Sequence, residues 1–400
     1  MNASIGVEEE FHIVDVETGI WAPRAEAVLE GLPGEVFTTE LKQSVVETNS
    51  AVHSSLSDLH TDLLGSRRRL DAAASAKGLA VVAAGTVPLA RRSSSVPPTP
   101  SARYRHMVDE YRAVADEQLI CGAQVHVGVA DRDMAVRIMC EVSPWLAALL
   151  ALSASSPFWQ GADTGYASWR TMLWQRWPTA GPVGCFADGS EYDAAVRELV
   201  GSGVISDPGM IYYDVRPSAH LPTLEMRICD ACPRVETVVL IAGLFRALVT
   251  HAREQLAARG APACQMRHEW LRAASWRAAR SGLEGDLIHP DTRREAPAPQ
   301  VIRGLLKRVR PQLEAAGDWE TVVALTEEVL ARGSAAHRMR CVADQEDLLA
   351  CVDLTVAETR GERRRPRSAS ATARRPIAPL TSSPGDDDAK GPDTAQVAGP

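Results

Sequence analysis

Acidic, histidine and arginine side chains recur at alternate positions in several short segments of this 400-residue sequence. In residues 5–14, Ile5 and Val7 alternate with Glu8 and Glu10, so the two glutamates share one face of a predicted strand. Similar polar faces are predicted elsewhere: Glu47 in 41–49, Gln124 and His126 in 122–129, Arg216 in 211–216, and Glu225 and Arg227 in 222–230. Carboxylate, imidazole and guanidinium groups are therefore candidates to act together.

These polar faces could be the solvated side of an antiparallel sheet. A solvated face, however, usually mixes lysine, threonine and serine, whereas these faces concentrate acidic groups with histidine and arginine. Glycine and glutamate are also unfavourable in strands unless other interactions compensate, so GVEEEF at 6–11 has a low intrinsic propensity for the strand that its alternation predicts. Features that break local rules tend to be functional, so we predict that these faces meet at a site.

If the faces converge on one concave surface, their glutamates crowd negative charge that divalent cations would have to balance. Oxygen-rich ligation with one imidazole suits magnesium or manganese. Arg216 and Arg227 supply planar groups that bind phosphate or carboxylate in a bidentate manner. The chemistry that fits is phosphoryl transfer. The sequence contains no GxxxxGK[ST], GxGxxG or GxSxG, so a P-loop, a Rossmann fold and a serine-hydrolase elbow have no support.

An aromatic segment, residues 155–184, is bounded by glycine and proline. It holds four of the nine tryptophans and two arginines, namely Trp159, Trp169, Trp174, Trp177, Arg170 and Arg176. The segment could be an aromatic cover over the core. The alternative is a loop that lines a substrate pocket, in which Arg170 or Arg176 binds a substrate carboxylate.

The candidate residues need a sheet to present them and helices to pack behind it. Apolar residues at helical spacing predict a helix after Ser55 and another after Asp131, and both residues are good N-caps. Three further regions show the same periodicity: 233–258 predicts a long apolar helix, 299–316 with 318–332 a helical hairpin, and 335–355 a last helix.

The composition is that of a globular protein with an acidic balance, since 45% of the residues are hydrophobic, 24% are charged and the formal net charge is −8. Nucleic-acid binding needs a basic surface, so no nucleic-acid partner is expected. The N-terminus lacks a cationic, apolar leader and the most apolar run, 145–154, is roughly half of a membrane span, which predicts a cytoplasmic location and no membrane partner. The eight cysteines lack dense regular spacing, so we expect free thiols, with Cys229 and Cys232 in the core.

The chain divides into two regions of different composition. Residues 1–358 alternate periodic segments with short turns and are predicted to form one catalytic domain, with a surface loop at 91–101. Residues 359–400 are rich in proline, serine, alanine and charge, with almost nothing to bury. That tail is predicted to be disordered.

Long motifs, in order along about residues 4–340, resemble the carboxylate–amine ligase family, also called glutamate–cysteine ligase type 2. They are GVEEEFHIVDVETG at 6–19, QSVVE at 43–47, RYRHMVDEY at 103–111, CGAQVHVGV at 121–129, SPFWQGADTGYASWRTMLWQRWPTAGP at 156–182, DVRPSAHLPTLEMRICDAC at 214–232 and VRPQLEAAGDWETVVALTEEVLARG at 309–333. Motifs of this length and number make the resemblance specific.

The resemblance implies an α+β, glutamine-synthetase-like fold, in which a curved antiparallel sheet forms the catalytic floor and helices pack behind it. It implies that ATP phosphorylates the γ-carboxylate of glutamate, with Mg²⁺ or Mn²⁺, and that the amino group of cysteine attacks the acyl phosphate. With the alternation above, it assigns Glu8, Glu10, Glu47 and Glu225 to metal binding and His126 to the metal or the nucleotide. Gln124 and Arg216 are expected to contact the nucleotide, and Glu225 and Arg227 to take part in catalysis.

Two departures from the family bear on nucleotide affinity, turnover and substrate choice. The family often has HVH where this chain has Gln124-Val125-His126, and GTHPF where it has GTVPL, with Val87 in place of histidine. Two other functions stay open: a regulatory or binding protein that kept the fold without catalysis, and a phosphotransferase that releases a stable phosphorylated product. The expected partners are small amino acids. The sequence leaves open the true acid and amine, the number of metal ions and the oligomeric state, a homo-oligomer included.

Overall fold

The computed structural model describes residues 3–89, 96–259 and 266–364. Most of the predicted disordered tail, and the first half of the predicted loop at 91–101, therefore lie outside the described residues. Within them, the last helix ends at Thr359, and Arg364 still pairs with Glu346. The folded region thus continues a few residues beyond the predicted boundary at 358.

The described residues form short strands and mostly longer helices. The strands are β1 (Ile5–Asp15), β2 (Phe37–Thr39), β3 (Val45–Asn49), β4 (Leu79–Val82), β5 (Ala123–Gly128), β6 (Phe158–Trp159), β7 (Ala162–Asp163), β8 (Val215–Pro217), β9 (Thr223–Met226), β10 (Asp286–Ile288) and β11 (Glu295–Pro297). The α-helices are α1 (Ala25–Leu29), α2 (Leu56–Ser75), α3 (Ala102–Tyr111), α4 (Ala113–Asp116), α5 (Arg132–Val142), α6 (Leu146–Ser153), α7 (Trp169–Trp174), α8 (Gly189–Gly201), α9 (Val235–Arg259), α10 (His268–Ser281), α11 (Ala298–Arg308), α12 (Arg310–Ala316), α13 (Trp319–Arg332), α14 (Ala335–Gln345) and α15 (Leu348–Thr359).

The main sheet is antiparallel, with the strand order β2-β3-β1-β5-β9-β8 and with β4 also paired to β1. Its register sets polar residues directly opposite one another: Glu10 faces Glu47, His126 faces Glu225, and Arg216 also faces Glu225. Opposite residues of an antiparallel pair project from the same face with neighbouring Cβ atoms. The predicted α+β fold with an antiparallel sheet is confirmed, and the sheet brings the polar faces together.

The strand predicted to carry Arg216 is shorter than expected. β8 begins only at Val215, after a 3₁₀ turn at Pro208–Met210 that the side chain of Asp207 caps. Tyr212 therefore lies before the strand and not within an alternating face. Tyr213 instead forms an isolated bridge with Gly181, and Asp214 N donates to Gly181 O at 2.8 Å, so this stretch pairs with the aromatic segment before β8 starts.

The apolar face of the sheet packs against helices in one large core. Val7, Val125 and Leu224 belong to this core together with residues of α5, α6 and α9. The predicted helix starts are confirmed, since the side chain of Ser55 caps α2 and that of Asp131 caps α5. Helices therefore support the sheet from the side opposite its polar groups.

Two predicted helices are each divided in the structure. The predicted 299–316 helix breaks at Val309, because Pro311 in the first turn of α12 cannot donate to the preceding turn. The predicted 335–355 helix breaks before Asp347, whose side chain accepts a hydrogen bond from Ala350 N at 2.8 Å and starts α15. Local capping and proline chemistry outweighed the continuous apolar periodicity in both cases.

Two helical stretches are long and apolar enough to cross a membrane by length and composition alone. They are Arg132–Ser153, which spans α5 and α6, and Val235–Arg259, which is α9. Within the fold, 78% of the apolar window of the first and 83% of that of the second are buried. Burial of this extent is what the core helices of a packed domain require.

The expectation of free thiols is wrong for one pair of cysteines. Cys140 on α5 and Cys185 form a disulfide across 45 residues of sequence, with their Cα atoms 5.2 Å apart. Spacing along the chain could not predict this contact, because the fold brings α5 next to the segment before α8. Cys229 and Cys232 are free and buried, as predicted for core residues.

Candidate active site

Three potential metal ligands, the first ligand group, lie on adjacent strands: Glu8 on β1, His126 on β5 and Glu225 on β9. One ligand atom of each lies within 4.8 Å of the others, and His126 Nε2 is 3.1 Å from a carboxylate oxygen of Glu8. The other ring nitrogen of His126 is 2.9 Å from Thr223 Oγ1, a contact that orients the imidazole. Two carboxylates with one oriented imidazole fit Mg²⁺ or Mn²⁺.

A second ligand group consists of Glu10, Glu40 and Glu47, whose carboxylate oxygens also lie within 4.8 Å of one another. Glu10 and Glu47 face each other across β1 and β3, as the alternation predicted. Glu40 was missed because it lies in the turn between β2 and β3, outside any alternating segment. Its only sequence signal is a carboxylate just before the QSVVE motif at 43–47.

The second ligand group carries more negative charge than its surroundings balance. Burial, followed by the charge of Glu10, raises the pKa of Glu40 to about 7. Burial and the charge of Glu40 raise the pKa of Glu47 well above its usual range, and burial also raises that of Glu10. Burial and crowding by like charges both disfavour the ionised carboxylates, and a bound cation would offset both effects, so this donor set fits a divalent hard metal ion.

Arg227 on the strand end after β9 links the two ligand groups. Its Nη1 pairs with Glu225 of the first group and lies 3.4 Å from Oε1 of Gln124, whose Nε2 donates to Glu10 of the second group at 3.0 Å. Burial alone would raise the pKa of Glu225, but the arginines beside it hold that pKa at about 2. The guanidinium lies over the ring of Trp174, 5.9 Å from its centroid. Arg227 is thus a fixed positive charge at the centre of the acidic cluster.

Gln124 and Val87 are the two departures from the family pattern, and they lie in different places. The Gln124 amide has both a donor and an acceptor, so it contacts a carboxylate and a guanidinium at once. Val87 is fully buried in a core cluster with Val14 and Trp21 and does not line the cavity of the site. The departure at Gln124 therefore falls within the site, and that at Val87 falls in the core.

Arg216 was predicted to contact the nucleotide, and the structure uses its donors elsewhere. Nε and Nη2 donate to the two carboxylate oxygens of Glu225 at 2.8 and 3.2 Å. Nη1 donates to the carbonyl oxygens of Gly209 and Ile211 at 2.9 and 2.5 Å. Arg216 therefore holds Glu225 in place, because the register of β8 and β9 sets the two side chains opposite each other.

A polar cavity of about 270 Å³, the acid cavity, opens beside both ligand groups. Its lining comprises Glu8, Glu10, Glu40, Leu41, Lys42, Val45, Glu47, Arg103, Tyr104, Met107, Gln118, Ile120, Gln124, Trp174, Trp177, Gly209, Tyr212 and Arg227. Trp174 and Trp177 show that part of the aromatic segment does line the pocket. A second pocket of about 310 Å³, the apolar pocket, shares Glu8 with it and is bordered by His126, Val52, Leu221 and Thr223.

Lys42 is a further residue of the acid cavity that alternation along the strands did not single out. Its side chain is 1% exposed, and among the described residues Nζ makes one hydrogen bond, of 3.4 Å to Val96 O, and lies 3.8 Å from Asp116. Burial lowers the pKa of Lys42, and Asp116 partly offsets that effect. Lys42 therefore borders the acid cavity with a buried ammonium group directed at Val96 O and Asp116.

Arg170 and Arg176 were predicted to bind a substrate carboxylate, but neither lines the acid cavity. Arg170 is buried and donates to main-chain carbonyl groups of Arg227 and Ile228. Arg176 pairs at 2.5 Å with Glu117 in a partly exposed ion pair. Both guanidinium groups are therefore occupied by the protein itself, that of Arg170 within α7 and that of Arg176 just after the end of α7.

Comparison with known proteins identifies the family and relatives of this chain. The model of glutamate–cysteine ligase family 2 matches residues 4–353. A protein of Frankia casuarinae, provisionally named glutamate–cysteine ligase 2-2, is 56% identical over 358 residues, which are 89% of this chain but 41% of that protein. One of Mycolicibacterium smegmatis with the same provisional name is 50% identical, covering 89% of this chain and 90% of the relative. The chain thus spans about two fifths of the Frankia relative.

Solved structures show the same fold at low sequence identity. A glutamate–cysteine ligase of Francisella tularensis, in complex with AMP, superposes with a TM-score of 0.67 at 12% identity, over 93% of this chain and 91% of that one. A bifunctional glutathione synthetase of Pasteurella multocida gives a TM-score of 0.67 at 15% identity, over 90% of this chain and 52% of that one. Since the family model spans nearly all the described residues, the chain belongs to glutamate–cysteine ligase family 2.

Proposed function

We propose that the protein is an ATP-dependent carboxylate–amine ligase that works with Mg²⁺ or Mn²⁺. Its acid substrate is glutamate or a similar amino acid, and its amine is cysteine or a similar amino acid. The observation that carries the proposal is the pair of acidic ligand groups bordering one cavity, with Arg227 linked to both. Membership of the family and the AMP complex of a protein with the same fold support the use of a nucleotide.

The nucleotide and the acid occupy different pockets in this proposal. The apolar pocket, next to Glu8 and His126, is suited to the adenine ring, with the exposed side chains of Val52 and Leu221 at its rim. The acid cavity, next to Glu10 and Lys42, receives the acid and the amine. The γ-phosphate of ATP and the acid then meet beside the two ligand groups.

The reaction has two steps. A carboxylate oxygen of the acid attacks the γ-phosphorus and the bond to ADP breaks; the amine nitrogen then attacks the acyl carbon, phosphate leaves and the nitrogen loses a proton. Bound divalent ions would neutralise the negative charge on the phosphate oxygens. Arg227 donates to the oxygens of the transferring phosphoryl group, where charge changes most.

The test measures ADP and phosphate release from ATP for pairs of amino acids, with and without EDTA. A ligase releases both products only when acid and amine are present together, and chelation abolishes the release. A stable phosphorylated acid formed without amine would indicate the phosphotransferase instead. Binding of Mn²⁺ and ATP without any turnover would indicate the regulatory protein. Turnover that survives EDTA would contradict the metal requirement.

The partners and the compartment follow from the proposed reaction and from the composition. Small amino acids are the substrates, and neither nucleic acid nor a membrane takes part. We place the reaction in the cytoplasm, where ATP and free amino acids are available.

A further inference from the structure

Arg170 joins the aromatic segment to the strand that carries Arg227. It lies in the first turn of α7 and is 3% exposed. Its Nη1 donates to the carbonyl oxygen of Ile228 at 3.2 Å, and its Nη2 donates to that of Arg227 at 3.3 Å. One guanidinium thus holds two successive peptide groups immediately after β9. It fixes the main chain from which the Arg227 side chain projects.

The same guanidinium also borders the peptide group that holds Glu10. A Cβ atom on Gly122 would collide with Nη2 of Arg170 and lie 3.0 Å from its Cζ, so the guanidinium packs directly against the Gly122 main chain. Gly122 N donates to Oε2 of Glu10 at 2.5 Å, and Gly122 O accepts from Glu10 N at 3.1 Å. Arg170 therefore contacts the main chain of Arg227 directly and is linked to Glu10 through the peptide group of Gly122.

A buried hydrogen-bond network fixes Arg170 in turn. Asp230 is fully buried, and its carboxylate accepts from Ser155 N at 3.0 Å and from the hydroxyls of Ser156 and Ser168, each at 2.7 Å. Ser156 Oγ accepts from Arg170 N at 3.0 Å, and Asp230 lies 4.0 Å from Arg170 Nη1. The backbone and the side chain of Arg170 are both held, so it has little freedom to move.

We propose that Arg170 is a positioning residue that sets the places of Arg227 and Glu10 through their main-chain neighbours. The inference rests on the proposed function, because it assigns those two residues to phosphate and metal. The planar fork of arginine can donate to two carbonyl groups while it packs flat on Gly122, whereas a lysine ammonium cannot. Outer partners of this kind typically change metal affinity or activity by about 10- to 100-fold.

Two variants disturb the contact in different ways. Arg170→Lys keeps the charge beside Asp230 but removes the fork. Gly122→Ala keeps every charged group and displaces the guanidinium, and the backbone of Gly122 needs no left-handed conformation. Arg176→Lys is the matched control, since it lies in the same segment and pairs with Glu117 near the surface.

Each variant is measured for thermal unfolding, Mn²⁺ affinity by titration calorimetry, and turnover with its KM for the acid. We expect both test variants to fold, to lose about tenfold in kcat and in the affinity of the second ligand group for Mn²⁺, and to keep the KM for the acid within about threefold. The control should match the wild type in all three.

Four outcomes overturn the inference. Unchanged kcat and Mn²⁺ affinity with a lower Tm, or failure of both variants to fold, would leave Arg170 a purely structural role. A rise in KM for the acid alone would make it a substrate contact. Equal losses in Arg176→Lys would make the effect unspecific. If the wild type binds Mn²⁺ but turns over no acid–amine pair, the proposed function is refuted. The inference about Arg170 is then tested by the Mn²⁺ affinities of the variants alone, and affinities equal to that of the wild type would overturn it.

Discussion

Individual charges at the centre of the sheet are balanced unevenly. Glu225 lies between Arg216 and Arg227, which hold its pKa at about 2. Glu40 and Glu47 have no comparable partner among the described residues, and their pKa values are raised. The charge of Glu225 is therefore balanced by two arginines of the protein, whereas the charges of Glu40 and Glu47 would be balanced by a bound cation.

Arg227→Lys tests the phosphate contact. Lysine keeps the charge but loses the bidentate fork, so turnover should fall by roughly 100-fold, on the scale of one lost preorganised donor, while ATP affinity changes little. Steady-state kinetics and ATP titration measure the two effects separately. Arg132→Lys, in an exposed pair with Asp193, is the control. A lysine variant that turns over like the wild type would show that Arg227 forms only a structural ion pair.

Glu40 predicts a pH dependence of the metal-free protein. Its folded pKa of about 7 lies above the ordinary value of 4.5, so the folded state binds the proton more tightly than the unfolded state. That stabilisation is complete below about pH 4.5 and is lost as the pH rises through 7. In EDTA, the Tm should therefore fall between pH 5 and pH 8, and Mn²⁺ should restore it at pH 8.

The matched variants for this prediction are Glu40→Gln and Glu30→Gln. Glu40→Gln removes one of the crowded carboxylates, so the fall in Tm with pH should become smaller and Mn²⁺ should restore less. Glu30 pairs with Lys77 at the surface, and its side chain is 80% exposed, so Glu30→Gln should follow the wild-type profile. A wild-type Tm that stays constant from pH 5 to 8 in EDTA would contradict the crowding argument.

Among the elements, the short strands place the site and the turns beside them form its edges. The antiparallel register of β1 with β3 and of β5 with β9 brings the ligands together. The turns contribute Glu40, between β2 and β3, and Leu221, between β8 and β9. Turns carry residues that strand alternation does not mark, and binding residues often lie on loops positioned by a rigid sheet.

Leu221→Asp tests the apolar pocket as the nucleotide site. Leu221 is 52% exposed at the rim, and an apolar ring bound there would cover it. An aspartate would remove that contact and repel phosphate, so the KM for ATP should rise by roughly tenfold, or about 1.4 kcal/mol. Mn²⁺ affinity should stay unchanged. Val204→Asp, at a side chain 39% exposed, is the control, and equal KM values in both variants would place the nucleotide elsewhere.

At the scale of the whole molecule, the C-terminal helices close the fold over β4. Cys351 and Val352 of α15 are buried, and Arg360 pairs with Asp71 of α2 at 2.8 Å. Thr359 Oγ1 donates to Thr355 O and accepts from Ala83 N at 3.1 Å. The chain is therefore needed to at least Arg360 for the described contacts.

Truncation should separate the folded region from the predicted disordered tail. A chain that ends at Arg364 should keep the Tm and activity of the full length, because residues 365–400 hold only three large aliphatic side chains, Ile377, Leu380 and Val397. A chain that ends at Gln345 loses all of α15 and should unfold several degrees lower. Scanning calorimetry and the ATP assay compare the three. A large loss in the Arg364 chain would show that the tail packs on the domain or contacts the site.

The sequence by itself determined the class of fold and most of the candidate metal ligands. Period-two alternation marked Glu8, Glu10, Glu47, Glu225 and Arg227, because side chains on one strand face must point the same way. It also marked two helix starts through their capping residues. Such local rules depend only on neighbouring residues, so they can be applied without knowledge of the fold.

Only the tertiary structure decided which partner each charged group takes. Glu9 lies on the apolar face and is paired with Arg67 of α2, 58 residues away, a contact that no local pattern encodes. The same holds for Glu40 in the second ligand group, for the Cys140–Cys185 disulfide, and for Arg170, which holds main chain and not substrate. The sequence shows that an arginine has several hydrogen-bond donors but not which acceptors they meet. The packing of distant segments decides which acceptors lie within reach.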